Sequence, residues 1–152
     1  MSKLLNCRMA NLEDLDIIYK IEQKIFNQPW TRNSIYNELN KPDNKLNIVA
    51  EINRKIIGYF FSNYFGSEVH ILNFVIDTPY QHKGFGKIFL NKIISQHLKD
   101  ANVFLEVKRT NFPAVNLYLS FGFQEINIRK DYYSDGEDAI EMVKKVNNYG
   151  MV

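Results

Sequence analysis

The stretch Val75-Ile76-Asp77-Thr78-Pro79-Tyr80-Gln81-His82-Lys83-Gly84-Phe85-Gly86-Lys87 carries the most specific chemistry in this sequence. An apolar strand ends, a turn follows, and two glycines open a helix. Gly84 and Gly86 lack side chains, so a ligand can approach the backbone closely. The first N–H groups of a helix have no partner within it, and its dipole favours an anion there. His82, Lys83 and Lys87 add positive charge at the same spot. The combination suits a diphosphate. Two better-known phosphate motifs do not fit. A P-loop requires glycine where Gln81 stands and Ser or Thr where Ile88 stands. A dinucleotide fingerprint requires a third glycine where Phe89 stands. Taken alone, the two glycines are equally compatible with a helix entry that binds nothing.

Further along, Glu106 interrupts the apolar run Val103-Phe104-Leu105-Glu106-Val107. Alternation turns it away from Val103, Leu105 and Val107 and to the side of Phe104. Desolvation there would raise its pKa and make it a better base. The residues alone favour the plainer reading, a solvent-facing carboxylate on an edge strand. Tyr118 lies on the apolar face of its helix, where a core aromatic with a satisfied hydroxyl is the default. Asn111 suits a helix cap. Tyr132 and Tyr133 could clamp a peptide backbone or pack on each other, and the residues do not choose between these. Asp131-x-Tyr133-x-Asp135-Gly136 departs from a calcium loop at Tyr133 and Met142.

These groups need a scaffold, and the hydrophobic pattern supplies one. A strand is expected over Leu4–Arg8. Asn11 caps a helix whose apolar stripe is Leu12, Leu15, Ile18, Tyr19, Ile21 and Ile25, broken at Pro29-Trp30. Thr31 caps a second helix ending near Asn40-Lys41-Pro42. Strands follow over Leu46–Glu51, Lys55–Phe65 and Glu68–Ile76, with Asn53-Arg54 as a turn. Gly84–Lys99 reads as a helix, Val103–Val107 as a strand and Pro113–Phe121 as a helix with Gly122 as its C-terminal cap. Strands over Phe123–Arg129 and Ala139–Val146 complete a mixed α/β domain around a largely antiparallel sheet with late helix crossovers.

Composition bounds the partners. A chain of 152 residues with 45% hydrophobic and 14% aromatic residues can fill one core and is not a disordered segment. The expectation is a single domain over residues 1–146 and a frayed tail over 147–152. The 19 basic and 17 acidic residues give +2, and the isoelectric point is near 8.5. That balance argues against direct nucleic-acid binding, which usually shows a basic stripe and a pI above about 9. No apolar run reaches the roughly 20 residues of a membrane span, and none resembles a signal peptide, so a cytoplasmic protein without membrane contact is expected. One cysteine, Cys7, forms neither an internal disulfide nor a cysteine-rich metal site, and it reads as a buried structural thiol. No metal is expected.

Gln81-x-x-Gly84-x-Gly86 after an apolar strand resembles the acetyl-CoA signature of the GNAT superfamily of N-acetyltransferases. Leu105-Glu106-Val107-Lys108-Arg109-Thr110-Asn111-Phe112-Pro113-Ala114-Val115-Asn116-Leu117-Tyr118, then Gly122-Phe123, resembles that family's fifth strand and following helix. The ending Arg129-Lys130-Asp131-Tyr132-Tyr133-Ser134-Asp135-Gly136-Glu137-Asp138-Ala139, with Met142, is similar to the protein N-terminal acetyltransferases, both the bacterial RimI type and the archaeal and eukaryotic catalytic subunits. Ile21-Glu22 and Pro29-Trp30 add to this. The resemblance spans about Asn11 to Val143.

It implies the GNAT fold, with a splayed parallel pair of strands flanked by helices. It implies acetyl-CoA as co-substrate, bound by the backbone of Phe74, Val75 and Ile76, by His82, Lys83, Gly84, Phe85, Gly86 and Lys87, and by Asn111 and Tyr118. It implies Glu106 as general base, Tyr118 as general acid, and Tyr132 and Tyr133 as substrate-binding residues. The acceptor implied is a protein N-terminal α-amine, the alanine of a small-subunit ribosomal protein, acetylated by direct transfer with no acyl-enzyme on Cys7. Such an amine has a reference pKa of about 8 and asks less of a base than lysine at about 10.4. His70 is a minor candidate for a second acid–base group, and His97 is expected at the surface. A monomer is expected. Lysine or a small amine as acceptor, or a non-catalytic acyl-CoA sensor, are the alternatives.

Overall fold

Asn11 opens the first helical segment with a reciprocal cap. Its side chain accepts from Glu13 N at 2.9 Å, and Asp14 accepts from Asn11 N at 2.8 Å. In this computed structural model, which describes residues 4–40 and 43–146, that first turn is a 3-10 helix, Leu12–Asp14. Only then does α1 (Leu15–Ile25) begin. The tighter winding takes Leu12 off the buried stripe, so Leu12 is exposed, against expectation. Leu15, Ile18 and Ile21 are buried as the helical spacing requires. Arg8 closes on Asp14 with two bonds of 2.8 and 2.9 Å and on Glu51 at 3.2 Å, tying β1 (Leu5–Met9) and β2 (Ile48–Ile52) to the cap. Thr31 caps α2 (Arg32–Asn40), accepting from Ser34 N at 3.0 Å.

β2 starts later than the hydrophobic run predicts. Buried Asn47 takes the place of ladder bonds, accepting from Ser62 N at 3.1 Å and donating to Glu38 O at 3.1 Å. β3 (Lys55–Phe65) and β4 (Glu68–Ile76) match their expected bounds. The turn before β3 has positive φ at both Asn53 and Arg54, the geometry that a tight hairpin needs. A 3-10 helix (Thr78–Tyr80), α3 (Phe85–His97), β5 (Asn102–Lys108), α4 (Phe112–Ser120), β6 (Gln124–Arg129) and β7 (Ala139–Lys144) complete the order. The tail expected to fray, 147–152, lies outside the described residues. Among the described residues no helix is long and apolar enough to cross a membrane.

Among the described residues seven strands form one sheet in the order β1-β2-β3-β4-β5-β7-β6. Every neighbouring pair is antiparallel except β4 and β5. Core residues lie on both faces. One cluster joins Ile57, Phe60, Leu105 and Met142 to Phe89, Leu90 and Ile93 of α3. The other joins Val49, Tyr59 and Phe61 to Ile18 and Ile21 of α1 and Ile35 of α2. Each buried Ile or Phe contributes about 1.5–3 kcal/mol by leaving water.

Candidate active site

The decisive feature is a parallel pair that separates. β4 and β5 are paired only at Glu68–His70 with Asn102–Phe104. Beyond His70, β4 runs on to Ile76 with β3 as its one strand partner, so the edge facing β5 keeps backbone groups for a ligand. A register shift between Phe61 and Ser62 leaves Leu72 without a partner across β3, a bulge at the mouth of the gap. A cleft of about 700 Å³ fills this gap. Ile71 to Phe74 of β4 form one wall and Leu105 to Lys108 of β5 the other. Asn111, the cap of α4, and Ala114 and Tyr118 within it close one end. Phe26 to Gln28 after α1 and Tyr133 to Asp135 before β7 close the other.

At the end of β4 the glycine turn takes the shape expected of an anion cradle. His82 has φ of +60° and Gly84 +84°, both left-handed. Ile88 N–H is bonded to Gly84 O at 3.2 Å, and the N–H groups of Phe85, Gly86 and Lys87 precede it in the first turn of α3. His82, Lys83 and Lys87 are exposed beside them. Gln81 turns back and donates to Ile76 O at 2.8 Å, fastening the turn to β4. Buried Asp77 accepts from Thr78 N at 2.8 Å and pairs with Lys24 of α1 at 2.5 Å. These residues, with Val75 and Ile76, gather at the α3 N-terminus; the cleft itself is lined by Phe74, Glu106, Asn111, Tyr118 and Tyr133.

Glu106 is exposed, the solvent-facing carboxylate that the residues alone favour, but β5 lies inside the sheet between β4 and β7 and is not the edge strand expected. Alternation sends Val103, Leu105 and Val107 into the core and leaves Glu106 and Phe104 on the face beyond the reach of the α1–α2 cluster. Its partner across the ladder is Glu141. Arg129 bonds Glu141 and holds that carboxyl below its usual range. Lys108 pairs with Asp135 at 2.5 Å and Arg109 with Asp138 at 3.3 Å. Tyr118 is buried at 6% exposure, its ring 5.5 Å from Phe123 and 6.5 Å from Phe74. Burial pushes its hydroxyl well above the ordinary tyrosine value. Asn111 caps α4, accepting from Ala114 N at 3.3 Å, and also lines the cleft.

Tyr132 and Tyr133 pack on each other, the second of their two readings. Their rings meet edge to face at 5.2 Å, and Tyr133 faces the cleft. Burial, then the charge of Glu106, pushes the Tyr133 phenol up to about 12. Hydrogen bonding to Glu106, then its charge, raises that of Tyr132. A neighbouring pocket of about 410 Å³ joins Glu106 to Tyr132 and His70. His70 stacks on Phe104 at 5.0 Å. His97 is exposed, as expected. Cys7 is half-buried on β1, three strands from β4, and burial raises its pKa.

Sequence reasoning noted Glu22 in the resemblance but gave it no role in the site. It is 2% exposed and accepts from Tyr59 Oη at 2.5 Å, Asn73 Nδ2 at 2.8 Å and Trp30 N at 3.0 Å. It therefore holds a cleft-lining side chain and the start of α2 together. The available signal was an acid at an apolar position of the α1 stripe. Glu22→Ala leaves three inward donors without an acceptor and should cost at least about 3 kcal/mol, read by chemical denaturation. Glu22→Gln, which keeps a carbonyl oxygen, should lose less. Ser134 Oγ meets Gln28 Oε1 at 2.6 Å, so the two loops beside the cleft touch.

A sequence profile described as the Acetyltransferase (GNAT) family matches residues 15–123. The chain belongs to the GNAT acetyltransferase family. The ribosomal protein bS18-alanine N-acetyltransferase of Escherichia coli K12 is 33% identical over 139 residues, covering 88% of this chain and 93% of that protein. The Haemophilus influenzae protein of the same name is 37% identical over 123 residues, covering 79% and 82%. The crystal structure of the E. coli ribosomal-protein-S18-alanine N-acetyltransferase superposes with a TM-score of 0.86 at 30% identity, covering 94% of each chain. The GNAT fold expected from the glycine turn and the β5–α4 stretch is the fold observed.

Proposed function

We propose that this protein transfers the acetyl group of acetyl-CoA to the N-terminal α-amine of a protein, the alanine of ribosomal protein bS18, in the cytoplasm. The observation that carries this reading is the single cleft in which Glu106 and Tyr118 stand on separate elements beside an unpaired length of β4. The residues present fit the co-substrate. The free N–H groups and cations at the α3 N-terminus suit its diphosphate. The open edge of β4 at Phe74, Val75 and Ile76 suits its amide-bearing arm, which pairs as an added strand would. Acetyl-CoA supplies an acyl group activated as a thioester, and the other tasks fall to the protein.

Tyr132 and Tyr133 hold the incoming peptide at the cleft mouth. Glu106, directly or through one water, accepts a proton from the amine as its nitrogen bonds to the acyl carbon. Backbone N–H groups of the splayed part of β4 stabilise the charge that develops on the acyl oxygen. As the carbon–sulfur bond breaks, Tyr118 gives its proton to the departing sulfur. Asn111 holds the coenzyme beside Tyr118.

The test is coenzyme A release across two peptide sets. One set has free N-termini beginning Ala, Ser or Met and contains no lysine. The other is blocked at the N-terminus and carries internal lysines. Turnover on the first set, best with the bS18 N-terminal sequence, is expected. Turnover on lysine alone, or on neither set, overturns the reading.

A further inference from the structure

Gly58 lies on β3 opposite Ile76, the last residue of β4. The β2–β3 register slips here: Ala50 faces Gly58 and Glu51 faces Ile56, so Ile57 is passed over. The demand for glycine comes from space. A Cβ at Gly58 would stand 2.5 Å from the Val75 carbonyl oxygen, 2.9 Å from Ile76 Cδ1 and 3.5 Å from Ile76 Cα. Two of those atoms are backbone and cannot rotate aside. The next residue is bound in turn, since Asp77 N–H donates to Ile57 O at 2.7 Å.

Ile76 also faces the helix that follows. A Cβ on Gly86 would lie 3.7 Å from Ile76 Cγ1, an ordinary contact. The Ile76 side chain is thus bracketed by two glycines, one on β3 and one in the first turn of α3. Its carbonyl is taken by Gln81. The close approach at Gly58 seats Val75 and Ile76, and Ile76 in turn spaces the end of β4 from the α3 N-terminus.

We propose that Gly58 is a positioning residue for coenzyme binding. By letting β3 close on Val75 and Ile76, it fixes the distance between the strand edge that takes the pantetheine arm and the N–H groups that take the diphosphate. This rests on the functional reading above. Gly58 touches neither group and acts through Ile76.

Calorimetric titration with coenzyme A and steady-state kinetics test this on the whole protein. Gly58→Ala should weaken coenzyme A binding and raise the acetyl-CoA KM by about tenfold or more, because sub-ångström misplacement at a binding edge is costly. The peptide KM should stay within about twofold of the parent. Ile35→Val, in the α1–α2 cluster, serves as a control that lowers stability without moving coenzyme affinity. A Gly58→Ala protein that is only less stable, with parental coenzyme affinity, overturns the proposal. If Gly58→Ala does not fold, Ile76→Ala decides. It empties the space between the glycines and should weaken coenzyme A about tenfold, and unchanged affinity again overturns the proposal. A parent protein that fails to bind coenzyme A would instead sink the functional reading itself.

Discussion

Glu106→Gln is expected to lower kcat/KM for an N-terminal alanine peptide by about 10²–10⁴-fold while leaving coenzyme A affinity unchanged. The geometry isolates this carboxyl. Arg129 is engaged with Glu141, Lys108 with Asp135 and Arg109 with Asp138. Among the described residues no cation pairs with Glu106. Glutamine has the same shape and can still meet the Tyr132 hydroxyl, so the loss reports proton transfer. The pH dependence separates this from misfolding. Bulk deprotonation of an α-amine grows toward its pKa of about 8, so the variant's deficit should shrink as pH rises from 6 to 9.5. A constant deficit across that range would assign Glu106 to peptide binding.

Tyr118→Phe is expected to reduce kcat by about 10²–10³-fold with little change in the acetyl-CoA KM. Phenylalanine keeps the ring against Phe74 and Phe123, so melting should change little. The sign of the pKa shift matters here. Burial raises the hydroxyl, so it remains protonated to higher pH than an exposed tyrosine and still carries its proton throughout the physiological range. The parent's kcat should therefore show no falling limb due to Tyr118 below pH 10. The same shift means that ionisation favours the unfolded chain. Its contribution to stability is present below the unfolded value of about 10 and is lost as pH climbs past it. A Tyr118→Phe protein with parental kcat would remove Tyr118 from the chemistry.

What the sequence made legible is what its local pattern determines. The bounds of β3 and β4 follow from their apolar and aromatic runs and from a turn at Asn53-Arg54. The turn from Gln81 to Gly86 follows from glycines at a helix start. Glu106 faces the way alternation requires and is exposed, as the residues alone favour, but no strand pattern says that β5 lies inside the sheet and not at its edge. Tyr118 is both buried and in the cleft, a pairing that helical spacing alone leaves open. The roles of Glu22, of Gln28 with Ser134, and of Gly58 were missed for a common reason. Their meaning comes from partners distant in the chain, 51 residues away for Asn73 and 106 for the Gln28–Ser134 contact.

The partial pairing of β4 also bears on self-association. An exposed strand edge invites other chains to add to it, and proteins normally blunt such edges. The outer margins here are β1, which is short, and β6, which is bulged between Glu125 and Asn127 and ends in Arg129. A further free edge, Ile71 to Ile76 of β4, is internal, recessed between β4 and β5. A slender extended molecule can thread into it, whereas a neighbouring protein's strand, flanked by its own sheet, meets the walls first. The fold thus keeps main-chain donors and acceptors available for a ligand without presenting them as a template for aggregation.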